Sequence, residues 1–258
     1  MRTWPALSSL KVGCVQYLNA RPLICGFDGP VHFGHPSELA RQLSAGELDI
    51  ALVPVFEALR SPDCPIVDGV AIASDGPVFS VFLASKTPIE AVTRVALDPA
   101  SLTSTNLLRC LFGNFLGMDP EYTTEPVNGD DARLLIGNQA IEFRHRECNA
   151  WRYYDLGEEW KSRTGLPFVF AVWLMRSNVA DSAGAAQELR ALKEIGRSRI
   201  DAICEAEPPG SRKFCREYLT RYIRYDLGER QKAGLCHFRE NLIGRGQLPP
   251  SEIPLRFT

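Results

Sequence analysis

An excess of charge of either sign is missing from this chain of 258 residues. Its 29 Lys and Arg stand against 31 Asp and Glu, a formal net charge of −2. Polyanion binding needs concentrated cations, so a broad nucleic-acid surface is excluded. An anionic small molecule is not, because one Arg and a few backbone amides suffice to hold a carboxylate. Long hydrophobic runs are missing as well: Met1 to Lys11 has no apolar core of signal-peptide length, and no stretch approaches a membrane span. Cys14, Cys25, Cys64, Cys110, Cys148, Cys204, Cys215 and Cys236 form no C-x-x-C pair and have no His at ligand spacing. That pattern is one of reduced, structural thiols in a cytoplasm, not of a disulfide framework or zinc site. G-x-G-x-x-G, P-loop and H-E-x-x-H motifs are all absent, so neither a metal nor a nucleotide cofactor is expected. The four His (His32, His35, His145, His237) lie in no nucleophile–base set.

What is present is a quick alternation of apolar runs and helical stretches. Val12–Val15 reads as a buried strand and Val31–Phe33 as a short second one. A helix starts at Pro36-Ser37, with Ser37 able to cap it, Leu39, Ala40 and Leu43 on one face, and Gly46 ending it. Asp49–Val53 lacks alternation, so it is expected to be buried on both faces. Strand, helix, strand in this rhythm means βαβ units and a largely parallel sheet. A second set begins near residue 86: a strand at Arg94–Asp98, a helix with Leu107, Leu108, Leu111, Phe112 and Phe115 in one stripe up to Gly117, then strands near Tyr122 and at Ala132–Ile136. From Asp181 the pattern is helical only, with Phe214, Tyr218 and Tyr222 on one face. The extended segments 78–84 and 168–174 flank the middle unit. The expectation is a two-lobed α/β clamp with a ligand between the lobes: residues 1–84 and 172–258, carrying the C-terminal helices, form one lobe, and residues 85–171 the other.

Several stretches have the chemistry for a site. Where the first strand ends, Tyr17, Asn19 and Arg21 offer a phenol, an amide and a planar cation, at the kind of position where open α/β sheets bind ligands. An ordinary strand-to-helix loop, with Pro22 opening the helix, reads equally well. Ser101, Thr103, Ser104 and Thr105 precede or open a helix, an anion site by hydroxyls and free amides, or simply an N-cap. Gly137, after a strand, permits close approach of backbone to a ligand, or a plain turn. Glu57 and Asp75, near strand ends, are the best carboxylates for a general base, although solvated or turn-forming roles suit both.

Six blocks resemble one family: Gln16–Leu23, Gly46–Glu57, Ile72–Val81, Ala96–Ser104, Leu134–Gly137, and Tyr154–Trp160 with Gly165–Trp173. They are similar to the chorismate dehydratases of the futalosine route to menaquinone, in the same order, from about residue 11 to about residue 175. The resemblance implies a type II periplasmic-binding-protein-like fold in a cytoplasmic enzyme. It also implies cofactor-independent loss of water from chorismate, giving 3-[(1-carboxyvinyl)oxy]benzoate. The family's active-site Asn and Ser fall on Asn19 and Ser80. Three positions depart from the commonest pattern: Gln16 stands where Ser is frequent, Leu102 where Arg is frequent, and Asn138 where Asp is frequent. Leu102 matters most, since it removes a positive charge beside the Ser/Thr cluster. The competing expectations are the related 1,4-dihydroxy-6-naphthoate synthase and a binding module without catalysis.

Overall fold

The computed structural model describes residues 3–98, 102–125, 132–147, 150–250 and 253–258. In chain order its strands are β1 (Val12–Cys14), β2 (Val31–Phe33), β3 (Ile50–Pro54), β4 (Ile66–Ser74) and β5 (Val81–Ser85). They continue as β6 (Arg94–Ala96), β7 (Glu121–Thr123), β8 (Ala132–Ile136), β9 (Arg152–Asp155) and β10 (Phe168–Met175). They build two five-stranded sheets, β2-β1-β3-β10-β4 and β7-β6-β8-β5-β9. In each, the first three strands pair in parallel, while the fourth is antiparallel to both its neighbours. The sheets are therefore mixed rather than largely parallel. The antiparallel strands are the two that enter each sheet after the chain has crossed from the other.

Those crossings fix the lobes. β5 pairs with β8 and β9 in the second sheet, and β10 with β3 and β4 in the first. The chain thus changes sheets at residues 75–80 and 165–167, several residues from the expected division at 84/85 and 171/172. The sequence places the extended segments 78–84 and 168–174 as crossings that flank the middle unit. The second instead lies wholly in β10, while the first holds the end of the crossing and most of β5, and both strands are buried.

Local chemistry accounts for most element ends. The helix Pro36–Ala45 ends at Gly46 with φ 77°, and the turn Leu111–Leu116 ends at Gly117 with φ 65°, the left-handed caps that glycine permits. Ser37 does not cap: the N-cap is His35, without a side-chain bond, and Pro36 occupies the first turn, where its missing N–H costs nothing. A further helix, Gly137–Arg146, follows β8 directly where only a turn was expected.

The main core runs continuously through both lobes. Helices Ser182–Ser198 and Glu229–Gly244 lie on the first sheet, against β4 and β10 respectively. The tail also reaches the second lobe: Trp160 packs edge-on against Phe168 and Phe238 beside the second crossing, and Arg245 donates to Asn114 Oδ1 at 3.2 Å. No helix among the described residues is long and apolar enough to cross a membrane.

Candidate active site

Between β1 and β3 the strand order reverses, and between β6 and β8 it reverses again; the carboxyl ends of these strands face one another across a cleft. The cleft is lined by Tyr17 and Asn19 after β1, Pro54 at the end of β3, Leu102, Thr103 and Ser104 after β6, and Gly137 after β8. Val78, Ser80 and Val81 of the first crossing close its base. This is where an open α/β sheet binds ligands. Helices begin at four of its walls, at Pro36, Val55, Leu102 and Gly137, so the positive ends of their dipoles collect around one space. No charged side chain lines it among the described residues. An anion is favoured here by backbone, not by a cation.

The crossing that carries Ser80 is under unusual control. Phe79 has φ 68°, the one non-glycine among the described residues in the left-handed region. Asp155, buried at the end of β9, holds it there: its carboxyl accepts from Val78 N at 3.0 Å and Phe79 N at 2.7 Å. The same carboxyl caps the helix Leu156–Thr164 through Gly157 N and Glu158 N. Burial pushes Asp155 above the ordinary carboxyl range, against the pull of these N–H donors and of Arg144. Strain of this kind persists only where surrounding bonds over-determine it. The consequence is a fixed Ser80, whose carbonyl also accepts from Gly137 N at 2.8 Å.

At Ser80 three elements meet. Tyr218, fully buried, donates its hydroxyl to Ser80 Oγ at 2.7 Å. The Asn19 amide faces the same phenol and favours its ionised form, against the effect of burial. Burial, before any other influence, pushes the Tyr218 phenol well up, so it stays protonated. Asn19 Oδ1 is buried without a hydrogen-bond partner. Tyr17 also keeps its proton, raised by burial and then by the charge of Asp98.

The other expected residues divide. Ser104 is buried in the cleft wall. Thr103 lines it too, but its Oγ1 accepts from Phe56 N of the opposite lobe at 3.1 Å. Together with Leu18 N, which donates to Asn138 Oδ1 at 3.1 Å, it ties the lobes shut. Gly137 has φ 62°, and a Cβ there would sit 3.1 Å from the Tyr17 ring, so the close approach is real. Thr105 does not line the cleft, and Ser101 lies outside the described residues. Arg21 is turned away: it pairs with Glu207 and lines a separate surface hollow with His145 and Phe214. Both candidate bases are also elsewhere, Glu57 bonded to Arg60 at 2.7 Å, and Asp75 paired with Lys161 and Arg230. Among the departures, Leu102 lines the cleft with an apolar side chain and Gln16 is exposed.

Two residues escaped the sequence reading. Asp155 had a signal, an Asp followed three positions on by Glu158 before a helix, which is the spacing of a capped N-terminus. Tyr218 had none beyond a helical stripe, since its partner lies 138 positions away.

Residues 10–242 match the model of a family described as menaquinone biosynthesis. The chain belongs to the menaquinone biosynthesis family. A chorismate dehydratase of Thermus thermophilus is 31% identical over 90% of this chain and 94% of its own length. Among solved structures, a protein from Archaeoglobus fulgidus superposes with a TM-score of 0.71 at 16% identity, covering 93% of this chain and 98% of that one. The alkanesulfonate-binding protein from Xanthomonas axonopodis pv. citri does so with 0.62 at 14% identity, covering 95% and 96%. This family member therefore has the two-lobed α/β fold of periplasmic binding proteins.

Proposed function

We propose that this protein is a cytoplasmic chorismate dehydratase acting in menaquinone biosynthesis through futalosine. One observation carries the reading: 31% identity to a chorismate dehydratase along nearly the whole of both chains. The cleft adds chemical support, since it is neutral, walled by helix N-termini and suited to a small dianion.

The reaction removes two groups from adjacent ring carbons of chorismate. One carbon bears the hydroxyl; the other bears the enolpyruvyl ether and a hydrogen. That hydrogen is acidified by conjugation through a ring double bond to the ring carboxylate. Its removal gives an extended enolate, and expulsion of hydroxide then gives an aromatic ring, 3-[(1-carboxyvinyl)oxy]benzoate, and water. The protein must supply orientation, donors for the developing charge, and a proton acceptor.

No Asp, Glu, His or Lys lines the cleft among the described residues. Our reading is that the enolpyruvyl carboxylate of the substrate takes the ring proton and passes it to the departing hydroxide as water. Asn19 and Ser80 hold that side chain, while Ser104 and the free amides at Leu102–Cys110 and Gly137–Arg146 receive the ring carboxylate. The test is incubation with chorismate, with the aromatic product followed by absorbance and mass. Stoichiometric formation of the benzoate is expected. Binding without turnover would leave a binding module, and no reaction or binding would remove the assignment.

A further inference from the structure

The buried phenol of Tyr218 lies outside the cleft wall, yet it bonds one and faces the other of the two side chains on which the proposed reaction depends. Its position in the fold is specific. It is the first residue of a π-helical turn, Tyr218–Tyr222, in the C-terminal tail, and such turns are frequent at functional sites. Phe214 stacks on it, and Phe79, whose backbone Asp155 fixes, packs on Phe214. The phenol therefore has one place to be.

Hydrogen-bond direction follows from that place. The Tyr218 proton goes to Ser80 Oγ, so the phenol oxygen is left only to accept. Asn19, which faces the same phenol and favours its ionised form, can meet an accepting oxygen only with its nitrogen, and its Oδ1 is buried without a partner. Ser80, having accepted, has its own proton free for the cleft. One line of donors results, Tyr218 to Ser80 and Ser80 to an occupant, with Asn19 Oδ1 bare beside it. The cleft thereby presents one donor, the Ser80 hydroxyl, beside one bare acceptor, Asn19 Oδ1.

We infer that Tyr218 is a positioning residue that sets this donor–acceptor polarity, and that the polarity makes the substrate's own carboxylate a better base. The inference rests on the proposed dehydratase reading. A carboxylate between one donor and one acceptor gains only one hydrogen bond while ionised. Once it has taken the ring proton, its new O–H donates to Asn19 Oδ1, and the buried acceptor is satisfied for the first time. Hydrogen bonding to the neutral form raises a carboxyl's proton affinity, and a bond completed only as the proton arrives favours the transition state over the ground state. The proton then leaves with the hydroxide as water and the carboxylate is restored.

The test is steady-state kinetics with chorismate on wild type, Tyr218→Phe, Ser80→Ala and the double variant, each checked for native near-ultraviolet circular dichroism. Tyr218→Phe keeps the ring and removes only the hydroxyl, freeing Asn19 to turn its amide over. We expect kcat to fall about tenfold or more with KM nearly unchanged, the split of an interaction made in the transition state. In the Ser80→Ala background the same change should add little, since the chain is already cut. A Tyr218→Phe enzyme within about twofold of wild-type kcat, or losses that multiply fully in the double variant, overturns the inference and leaves the dehydratase reading intact. Failure of the wild type to convert chorismate removes that reading, and this inference with it.

Discussion

The two sheets share one strand order and differ in what surrounds them. In the first, β3 is buried along its whole length and β4 and β10 nearly so, because the helices Pro36–Ala45 and Val55–Arg60 lie on β3 and the tail helices on β4 and β10. In the second, β5 is just as buried, but β8 alternates buried with half-buried positions and the edge strands β7 and β9 are mostly half-buried. Their contributions to the cleft differ in the same sense. The first lobe and its tail bring Asn19, whose Oδ1 is buried without a partner, and Tyr218, a buried phenol that donates to Ser80. The second brings Ser104, Gly137 and helix amides, which can cradle an anion but have no proton chemistry of their own. Ser80, on the crossing between them, is tied to both. In the proposed reaction, one architecture used twice thus supplies a rigid reactive wall and a simpler binding wall.

The sharpest break in that division would come at Asn19. Asn19→Ala should lower turnover by about a hundredfold or more while the folded protein persists, as expected for loss of an oriented polar group at the reacting centre. Rates at saturating chorismate, with thermal melting as the control, measure it. A variant that lost only affinity would place the reactive wall elsewhere.

Next in size is Gly137→Ala, on the binding wall. With φ 62° and Tyr17 at 3.1 Å, the added methyl should cost about 1 kcal/mol or more in backbone strain and crowd the closed lobes. KM should rise more than kcat falls. The reverse split would mean that the second lobe takes part in chemistry.

Ser104→Ala should be milder, weakening substrate binding by about 1 kcal/mol, the net worth of one hydrogen bond, with kcat preserved. Thr105→Ala serves as the control, because Thr105 does not reach the cleft. Equal effects from the two would remove the hydroxyl from the anion site and leave the backbone amides alone.

The smallest effects should belong to the two carboxylates. Glu57→Gln and Asp75→Asn are expected to retain most activity. Asp75 instead affects stability: the hydrogen bond from Lys161, with the charges of Lys161 and Arg230, holds its carboxyl below the ordinary value. Its contribution is therefore present above the unfolded-state value near pH 4 and is lost as pH falls through the lower folded-state value. For so exposed a group of ions this amounts to about 1 kcal/mol or less. Acid unfolding followed by circular dichroism should show a slightly shallower loss in Asp75→Asn. A folded Glu57 or Asp75 variant that bound chorismate without turning it over would establish a protein base and dissolve the contrast between the walls.

The sequence by itself determined the local features. Apolar runs too short for helices located most of the strands, Gly46 and Gly117 marked the ends of two helical segments, and the ordered blocks from Gln16 to Trp173 carried both the family and the pair Asn19 and Ser80. These are properties of neighbouring residues, and the chain states them directly. Only the tertiary structure decided that β5 and β10 exchange sheets, since an apolar run buried on both faces reads alike in either one. Tertiary packing also turned Arg21 away to Glu207, spent the Thr103 hydroxyl on Phe56, and let Asp155 hold Phe79 at positive φ. Tyr218 is the clearest case. In the sequence it is one aromatic on a helical stripe, and its hydrogen bond to Ser80 spans 138 positions. The direction of such a bond depends on what else each oxygen touches, which periodicity cannot encode.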